Sequence, residues 1–357
     1  MADRPWGCWR EDVLRALDAP QTSRDYAQTD RAIATATRSV EGLLNRRFYP
    51  ETATRYFDWP SPNQGTSYRL WLDADELVSV TSITAGGVTL TPAQYYLEPA
   101  NMGPPFNRVE INLGTSAAFG GGLTRQRNVA IVGVYGYDAD TTPAGALASA
   151  ISTTVATTCT VTDSSLVGVG AILLCESERM IVTGKANVTT AQTGSLTAVN
   201  SDQALNVTTG SAYAVGEVLT LDQERVLVLD VTGNTLTVRR AWDGTTLAAH
   251  TAATIYAPRT LTVTRAALGS TAAAHSSATA LTTAAVPSLV RSLTVAEAVL
   301  TLGREQAGYT STARGKTLGA SGDTGSQSAG NVTVTAIDDL RRAAVSAYGR
   351  TGRTYAV

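Results

Sequence analysis

Histidine is the side chain whose ordinary titration range spans neutral pH, so His250 and His275, the two histidines of the chain, are the first residues to weigh for acid–base or metal chemistry. They fall at matching places in two similar segments. Residues 236–256 read LTVRRAWDGTTLAAHTAATIY and residues 261–281 read LTVTRAALGSTAAAHSSATAL, an offset of 25. A catalytic pair would need an orienting partner or further ligands, and Asp243 in one copy is replaced by Leu268 in the other. Repetition alone accounts for the recurrence, so both histidines are expected in turns or on the surface. A second repeat carries acidic pairs: residues 170–182 read GAILLCESERMIV and residues 216–228 read GEVLTLDQERVLV, 46 apart. Glu176 and Glu178, matched by Asp222 and Glu224, would share a strand face, a layout compatible with calcium or glycoside chemistry. No oxygen-rich calcium loop surrounds them, and Glu178-Arg179 and Glu224-Arg225 are expected as strand-surface pairs.

The remaining motifs are weaker. Gly120 to Gly122 lack the lysine and hydroxyl of a phosphate loop, and Gly-x-Ser-x-Gly does not occur. Cys8, Cys159 and Cys175 suit neither a disulfide scaffold nor a thiolate metal site, which points to folding in a reducing cytoplasm. The sequence therefore nominates no catalytic, cofactor-binding or metal-binding residue, and the expectation is a protein that is not an enzyme and takes no cofactor. Lys plus Arg total 28 against 30 Asp plus Glu, a net charge of −2 that argues against a general nucleic-acid coat or membrane-surface binder. A charged-then-apolar secretion signal is not seen at the start, and no 18-residue apolar run exists, so a soluble product without membrane insertion is expected.

The elements that would position these residues change character along the chain. Residues 11–18 suit a short helix, and residues 30–47 a stronger one, with Ile33, Ala36, Val40, Leu43 and Leu44 on one stripe and Arg31, Arg38, Glu41 and Arg46 on the polar side, ended by Pro50. Short strand-like runs follow at 68–72, 77–83, 88–90, 108–111 and 128–134, with Gly86-Gly87 as a hairpin turn. Residues 142–285 are rich in Thr, Ala and Val. Their two offset repeats are nested, as if one copy of a small β unit were inserted within another, giving a barrel or sandwich of two related halves with a tight turn at Thr232-Gly233-Asn234. Helix returns after Pro287 with Leu289, Leu293, Ala296 and Leu300 in a stripe; Pro287 suits an early start and the Thr294/Glu297 capping-box spacing a late one. Residues 308–331 read as a flexible glycine-rich loop, and residues 336–348 as a last helix with Ile337, Leu340, Ala344 and Ala347 on one side.

The fold class expected from this pattern is α+β: a helical bundle with extended strands and loops, formed by residues 1–141 and 286–357, carrying an inserted all-β domain at 142–285. Its bundle-core candidates are Ile33, Val40, Leu43, Leu293, Leu300, Ile337 and Leu340. Trp6, Trp9, Tyr56, Phe57 and Trp59 are candidates either for subunit contacts or for ordinary packing onto the bundle. Beyond Asp339 the formal side-chain charges are all positive, at Arg341, Arg342, Arg350 and Arg353.

In their order, VEGLLNRRFYP, RYFDWP, LWLDADELVSVTSITAGGVTLTPAQYYLEP and VAIVGVYGYDAD, then VPSLVRSLTVAEAVLTLGREQAGY and VTAIDDLRRAAVSAYGR, the scaffold segments resemble the siphophage head-to-tail connector, or head-completion adaptor, family. The resemblance covers roughly 200 residues and lies in the order of individually degenerate segments. It implies a ring, commonly of twelve subunits, between the portal protein and the next neck or tail-completion protein, with genomic DNA passing nonspecifically through its lumen. It places the protein in the virion neck after synthesis in the bacterial host cytoplasm, and makes Arg341, Arg342, Tyr348, Arg350, Arg353, Tyr355 and Val357 candidates for portal docking. The inserted β domain departs from the shorter family pattern and is expected on the ring exterior. Rival readings are a phage tail-fibre or decoration protein, since the repeated LTV…GTT…AAH segments look like pieces of phage tail proteins, and a surface carbohydrate-binding module fused to helices. A fibrous free trimer would mark the first, and glycan binding by residues 142–285 the second.

Overall fold

The computed structural model describes residues 4–17, 26–60, 67–121, 124–306 and 327–350. Four helices from the two ends of the chain pack together: α1 (Arg10–Ala16), α2 (Tyr26–Leu44), α3 (Ser288–Gln306) and α4 (Gln327–Tyr348). In α2 the buried residues Ala32, Ile33, Ala36, Val40 and Leu44 recur at helical spacing and meet Ala298 and Leu302 or Val290 and Leu293 of α3. Leu43, expected in this core, is instead 41% exposed. It stands about 100° around the helix from Leu44, the next residue, and the stripe 33–36–40–44 leaves it outside. The helix ends not at Pro50 but at Asn45, whose left-handed φ of 52° stops it five residues earlier.

The early start holds for α3. Its backbone is hydrogen-bonded from Arg291 N to the Pro287 carbonyl, while Thr294 Oγ1 donates to Val290 O as an interior residue rather than a cap. Val290, Leu293, Ala298 and Leu302 are its buried apolar residues, and Leu300 is only half-buried. Helix α4 begins at Gln327, so residues 327–331, expected in a loop, are helical; residues 308–326 of that expected loop lie outside the described residues. Ile337 and Ala344 are buried and Leu340 packs beside them, whereas Ala347 is exposed. Ion pairs stitch the bundle: Arg10–Asp30 at 2.6 Å, Arg291–Asp12 at 2.8 Å, Arg31–Glu305 at 3.1 Å and Arg341–Glu297 at 2.6 Å. Phe48, Tyr137 and Tyr348 close one end as a mutually tilted aromatic trio, with centroids 5.4 to 6.1 Å apart. Among the described residues no helix is long and apolar enough to cross a membrane.

Two small antiparallel sheets follow α2 and share one core. In the first, β1 (Glu51–Phe57), β3 (Leu77–Ala85), β4 (Val88–Leu90) and β7 (Val129–Tyr135) are ordered β1-β7-β3-β4. In the second, β2 (Arg69–Trp71), β5 (Tyr95–Glu98) and β6 (Arg108–Ile111) are ordered β2-β6-β5. The β3-β4 hairpin turns at Gly86 and Gly87, both at positive φ (57° and 85°), the backbone that glycine adopts without a Cβ penalty. Phe57 and Trp59 pack onto this core, and Tyr56 is exposed.

The β-rich segment forms one ten-stranded antiparallel sheet curled twice. Its strands are β8 (Thr141–Ala146), β9 (Thr158–Thr160), β10 (Ile172–Cys175), β11 (Glu178–Leu196), β12 (Gln203–Asn206), β13 (Val218–Leu221), β14 (Glu224–Thr232), β15 (Thr235–Arg239), β16 (His250–Thr264) and β17 (Ala280–Ala284). The first half runs β8-β17-β10-β11-β16-β9 and closes on itself through the Leu147–Val161 bridge, making a six-stranded barrel. The second runs β11-β16-β13-β14-β15-β12, with β12 back against β11. There a Cβ on Gly194 would lie 2.3 Å from Leu205, and the Gln203 carboxamide bonds both the N–H and the carbonyl of Thr197, standing in for a strand ladder.

Each barrel has its own apolar core, and the registers correspond: Val182 opposite Val263 and Cys159 opposite Leu261 in the first, Val228 opposite Val238 and Leu205 opposite Leu236 in the second. The barrels are related by the nested repeat, and the long strands β11 and β16 belong to both. Register breaks in that pair between Ala186 and Val188 and between Thr189 and Thr193 let each strand bend from one barrel into the other. The turn at Gly233-Asn234 joins β14 to β15. The segment leaves and rejoins the scaffold at one point, where Thr141 pairs with Ala284 and Ala285 N donates to Asp140 O at 2.8 Å.

Candidate functional site

The acidic repeat and the histidine repeat meet at one end of each barrel. A two-residue turn links β10 to β11, with Glu176 at φ 53°, so that Glu178 starts β11 and points into the barrel; Asp222 at φ 52° and Glu224 repeat this between β13 and β14. In the first barrel Glu178 Oε1 accepts from Arg265 Nε (2.6 Å) and Ala266 N (3.1 Å), and Oε2 from Arg265 Nη2 (2.7 Å), Ala273 N (3.0 Å) and His275 Nε2 (2.8 Å). In the second, Glu224 Oε1 accepts from Arg240 Nε and Ala241 N, both 2.8 Å, and Oε2 from Arg240 Nη2 (2.8 Å), Ala248 N (3.0 Å) and His250 Nε2 (2.9 Å). The other ring nitrogen of each histidine reaches the turn carboxylate, His275 Nδ1 to Glu176 at 2.9 Å and His250 Nδ1 to Asp222 at 2.8 Å.

These positions correct the surface expectation. Glu178, Glu224, His250 and His275 are all buried, and the arginines partnering the glutamates are Arg265 and Arg240, not the adjacent Arg179 and Arg225. Burial alone would raise the carboxyl pKa of Glu178 and Glu224, but the arginine, imidazole and backbone donors together outweigh it and hold both at about 2. An imidazolium can donate to both of its carboxylates at once; a neutral ring has one N–H for the two. Each cluster thus pins a left-handed loop (Ala266 and Leu268, or Ala241 and Asp243) to the strand beside it.

With five donors on each carboxylate and both nitrogens of each ring engaged, the clusters are closed to a substrate, and their chemistry is structural. The signal in the sequence was the recurrence of Glu, Arg and His at matching places in both copies. The Asp243/Leu268 difference also has a local reason. Asp243 pairs with Arg225 at 3.3 Å, whereas Arg179, the counterpart of Arg225, donates to Thr52 Oγ1 of β1 at 2.8 Å and so ties the first barrel to the scaffold.

The C-terminal docking candidates separate into three groups. Arg341 is held within the bundle by Glu297 (2.6 Å) and Asp338 (2.8 Å), and Tyr348 by the aromatic trio. Arg342 is exposed and pairs with Asp339 at 2.5 Å, while Arg350 has its backbone N–H on Leu44 O at 3.0 Å and its Nη1 buried without a hydrogen-bond partner. Arg353, Tyr355 and Val357 lie outside the described residues.

The aromatics near the start have a defined use as well. Trp6 and Trp9 lie against Gly170 and Gly168 of the first barrel, clamping it to the helices rather than standing free. Comparison of the chain with protein-family models, with curated proteins and with solved structures finds no match.

Proposed function

We propose that the chain is a non-catalytic structural protein of a long-tailed phage: a head-to-tail adaptor that forms a homo-oligomeric ring, of twelve copies in the resembling family, between the portal and the next neck or tail-completion protein. Genomic DNA passes through its lumen without sequence recognition, and the protein is made in the bacterial cytoplasm before incorporation into the virion neck. What supports this reading is that helices from both ends of the chain pack into one bundle beside the two small sheets, in the order of segments on which the resemblance rests. The double barrel enters and leaves that scaffold at a single hydrogen-bonded point, as an insertion into a pre-existing adaptor would. Native mass spectrometry and negative-stain imaging of isolated necks provide the test. Several identical copies in a ring below the portal are expected; one copy per virion, or a fibrous trimer away from the neck, overturns the reading.

Portal docking is assigned to the C-terminal region, with Arg342, Arg350 and Arg353 supplying charge and Tyr355 and Val357 apolar anchorage. A truncation after Gly349 is expected to abolish stable incorporation into DNA-filled heads lacking necks, and Arg350→Glu with Arg353→Glu to weaken it most at low salt. Undiminished incorporation of the truncation excludes this docking mode while leaving the ring reading standing.

A further inference from the structure

The two barrels are built alike, yet one surface loop is covered in the first and open in the second. In the first barrel, residues 168–170 receive the N-terminal segment of the chain. Trp6 N donates to Gly170 O (3.4 Å), Arg10 N to Val169 O (3.0 Å), and Val169 N to the Glu11 carboxylate (2.9 Å). The Trp6 ring lies so close to Gly170 that an added Cβ would sit 2.3 Å from it, and Val169 is 1% exposed.

The equivalent residues of the second barrel, 46 positions on, are Ala214, Val215 and Gly216. Their backbone matches: Gly216, at φ 91° against 97° for Gly170, donates to Val228 O at 2.8 Å as Gly170 donates to Val182 O at 2.8 Å. But Val215 is 57% exposed, and the nearest atom to an added Cβ on Gly216 is Ser165 Cβ at 3.6 Å. Gly216 opens onto a groove of about 830 Å³ between α1 and the two barrels, bordered also by Thr220, Trp242, Arg15, Arg225 and Arg239.

We propose that the Ala214–Gly216 loop is a docking site for a segment of another polypeptide that carries an aromatic residue and, five positions later, a carboxylate in the first turn of a helix, seated as residues 6–11 of this chain are seated on the first barrel. The intramolecular copy specifies the occupant. An aromatic ring stacks on Gly216, which keeps the bare backbone that Gly170 offers to Trp6. A carboxylate five positions later, as Glu11 follows Trp6, takes the Val215 N–H. A second ring is excluded, because Ala214 carries the Cβ that, at Gly168, would lie 2.5 Å from Trp9. The chain's own N-terminal segment is already engaged on the first barrel, and residues 18–25, 61–66, 307–326 and 351–357 hold no aromatic followed five positions later by a carboxylate, so the occupant comes from another molecule. The inference rests on the internal symmetry and does not depend on the ring reading.

The test uses the full chain and a synthetic peptide copying residues 4–12, with alanine at the Trp9 position, serine at the Cys8 position and a diazirine-bearing phenylalanine at the Trp6 position. After irradiation, cross-links are mapped by mass spectrometry. Saturable cross-linking to residues 213–218 is expected, reduced at least tenfold when lysine replaces Glu11 in the peptide and when the chain carries Val215→Glu. That exposed substitution leaves the fold in place, which an unchanged melting curve verifies. Cross-links confined to residues 167–171, labelling no greater than with a scrambled peptide, or labelling insensitive to Val215→Glu each overturn the proposal.

Discussion

Replacing Glu224 by glutamine changes one atom in the middle of a buried cluster, and its consequence follows from the donors around it. Arg240 is fully buried and offers Nε and Nη2 to the two carboxylate oxygens, with Ala241 N, Ala248 N and His250 Nε2 filling the remaining lone pairs. A glutamine amide presents an NH₂ to at least two of these donors and leaves the guanidinium without its countercharge. Breaking a buried ion pair from one side costs about 3–5 kcal/mol, a large fraction of the roughly 5–15 kcal/mol of a typical domain.

The pH dependence gives a second estimate. The carboxyl sits at about 2 in the folded chain against an ordinary 4.5. Its contribution is therefore complete above pH 4.5 and is lost as pH falls toward 2, amounting to about 3 kcal/mol at neutrality. Urea denaturation of the wild-type chain and Glu224→Gln at pH 7, 4 and 2.5 is the assay. A gap of about 3–5 kcal/mol at pH 7 should shrink as pH falls, because a protonated Glu224 resembles glutamine. A gap under about 1 kcal/mol at pH 7, or one that stays constant down to pH 2.5, refutes the assignment of this cluster as a charged structural pin.

Other substitutions separate positions that look alike in sequence. Gly170→Ala must displace the Trp6 ring as well as strain a positive-φ backbone, for about 3–5 kcal/mol, whereas Gly216→Ala meets only Ser165 Cβ at ordinary contact distance and should cost about 1–2 kcal/mol from its positive φ; chemical denaturation of the two variants gives the comparison. Leu43→Ser should change stability by no more than about 0.5 kcal/mol and Leu44→Ala by about 2–5 kcal/mol, read from thermal melts, because only the second leaves a cavity in the bundle. Burial pushes the Cys159 and Cys175 thiols up to about 11, so iodoacetamide at pH 8 should leave both unmodified in the native chain and label both in urea; rapid native labelling would contradict their placement in the first barrel core.

Periodicity revealed the elements better than it revealed depth. The stripe on α2 was legible because Ile33, Ala36 and Val40 repeat at helical spacing, but choosing between the adjacent Leu43 and Leu44 required the direction of α3, a tertiary fact. The nested repeat announced two related β units, and the matched registers of β11 with β16 and β14 with β15 give that repeat its three-dimensional form. Burial of the Glu, Arg and His trio was not legible from polarity, since each residue type ordinarily favours water; only their joint closure at a barrel end makes burial tolerable. Trp6 and Trp9 carried no signal of their target either, because Gly168 and Gly170 are distant in sequence and resemble ordinary turn glycines.

The sharing of β11 and β16 has a mechanical consequence. Two domains joined by a linker swivel independently, but these two barrels are threaded by the same pair of hydrogen-bonded strands, and β11 with its 19 residues spans about 60 Å if fully extended. Tension applied along that pair loads many backbone hydrogen bonds in shear together, whereas peeling a lone hairpin breaks them one at a time. The two barrels therefore move as one stiff body, with bending compliance concentrated at the bulged waist between Ala186 and Thr193. Anything bound to the second barrel is thereby fixed in orientation relative to the first.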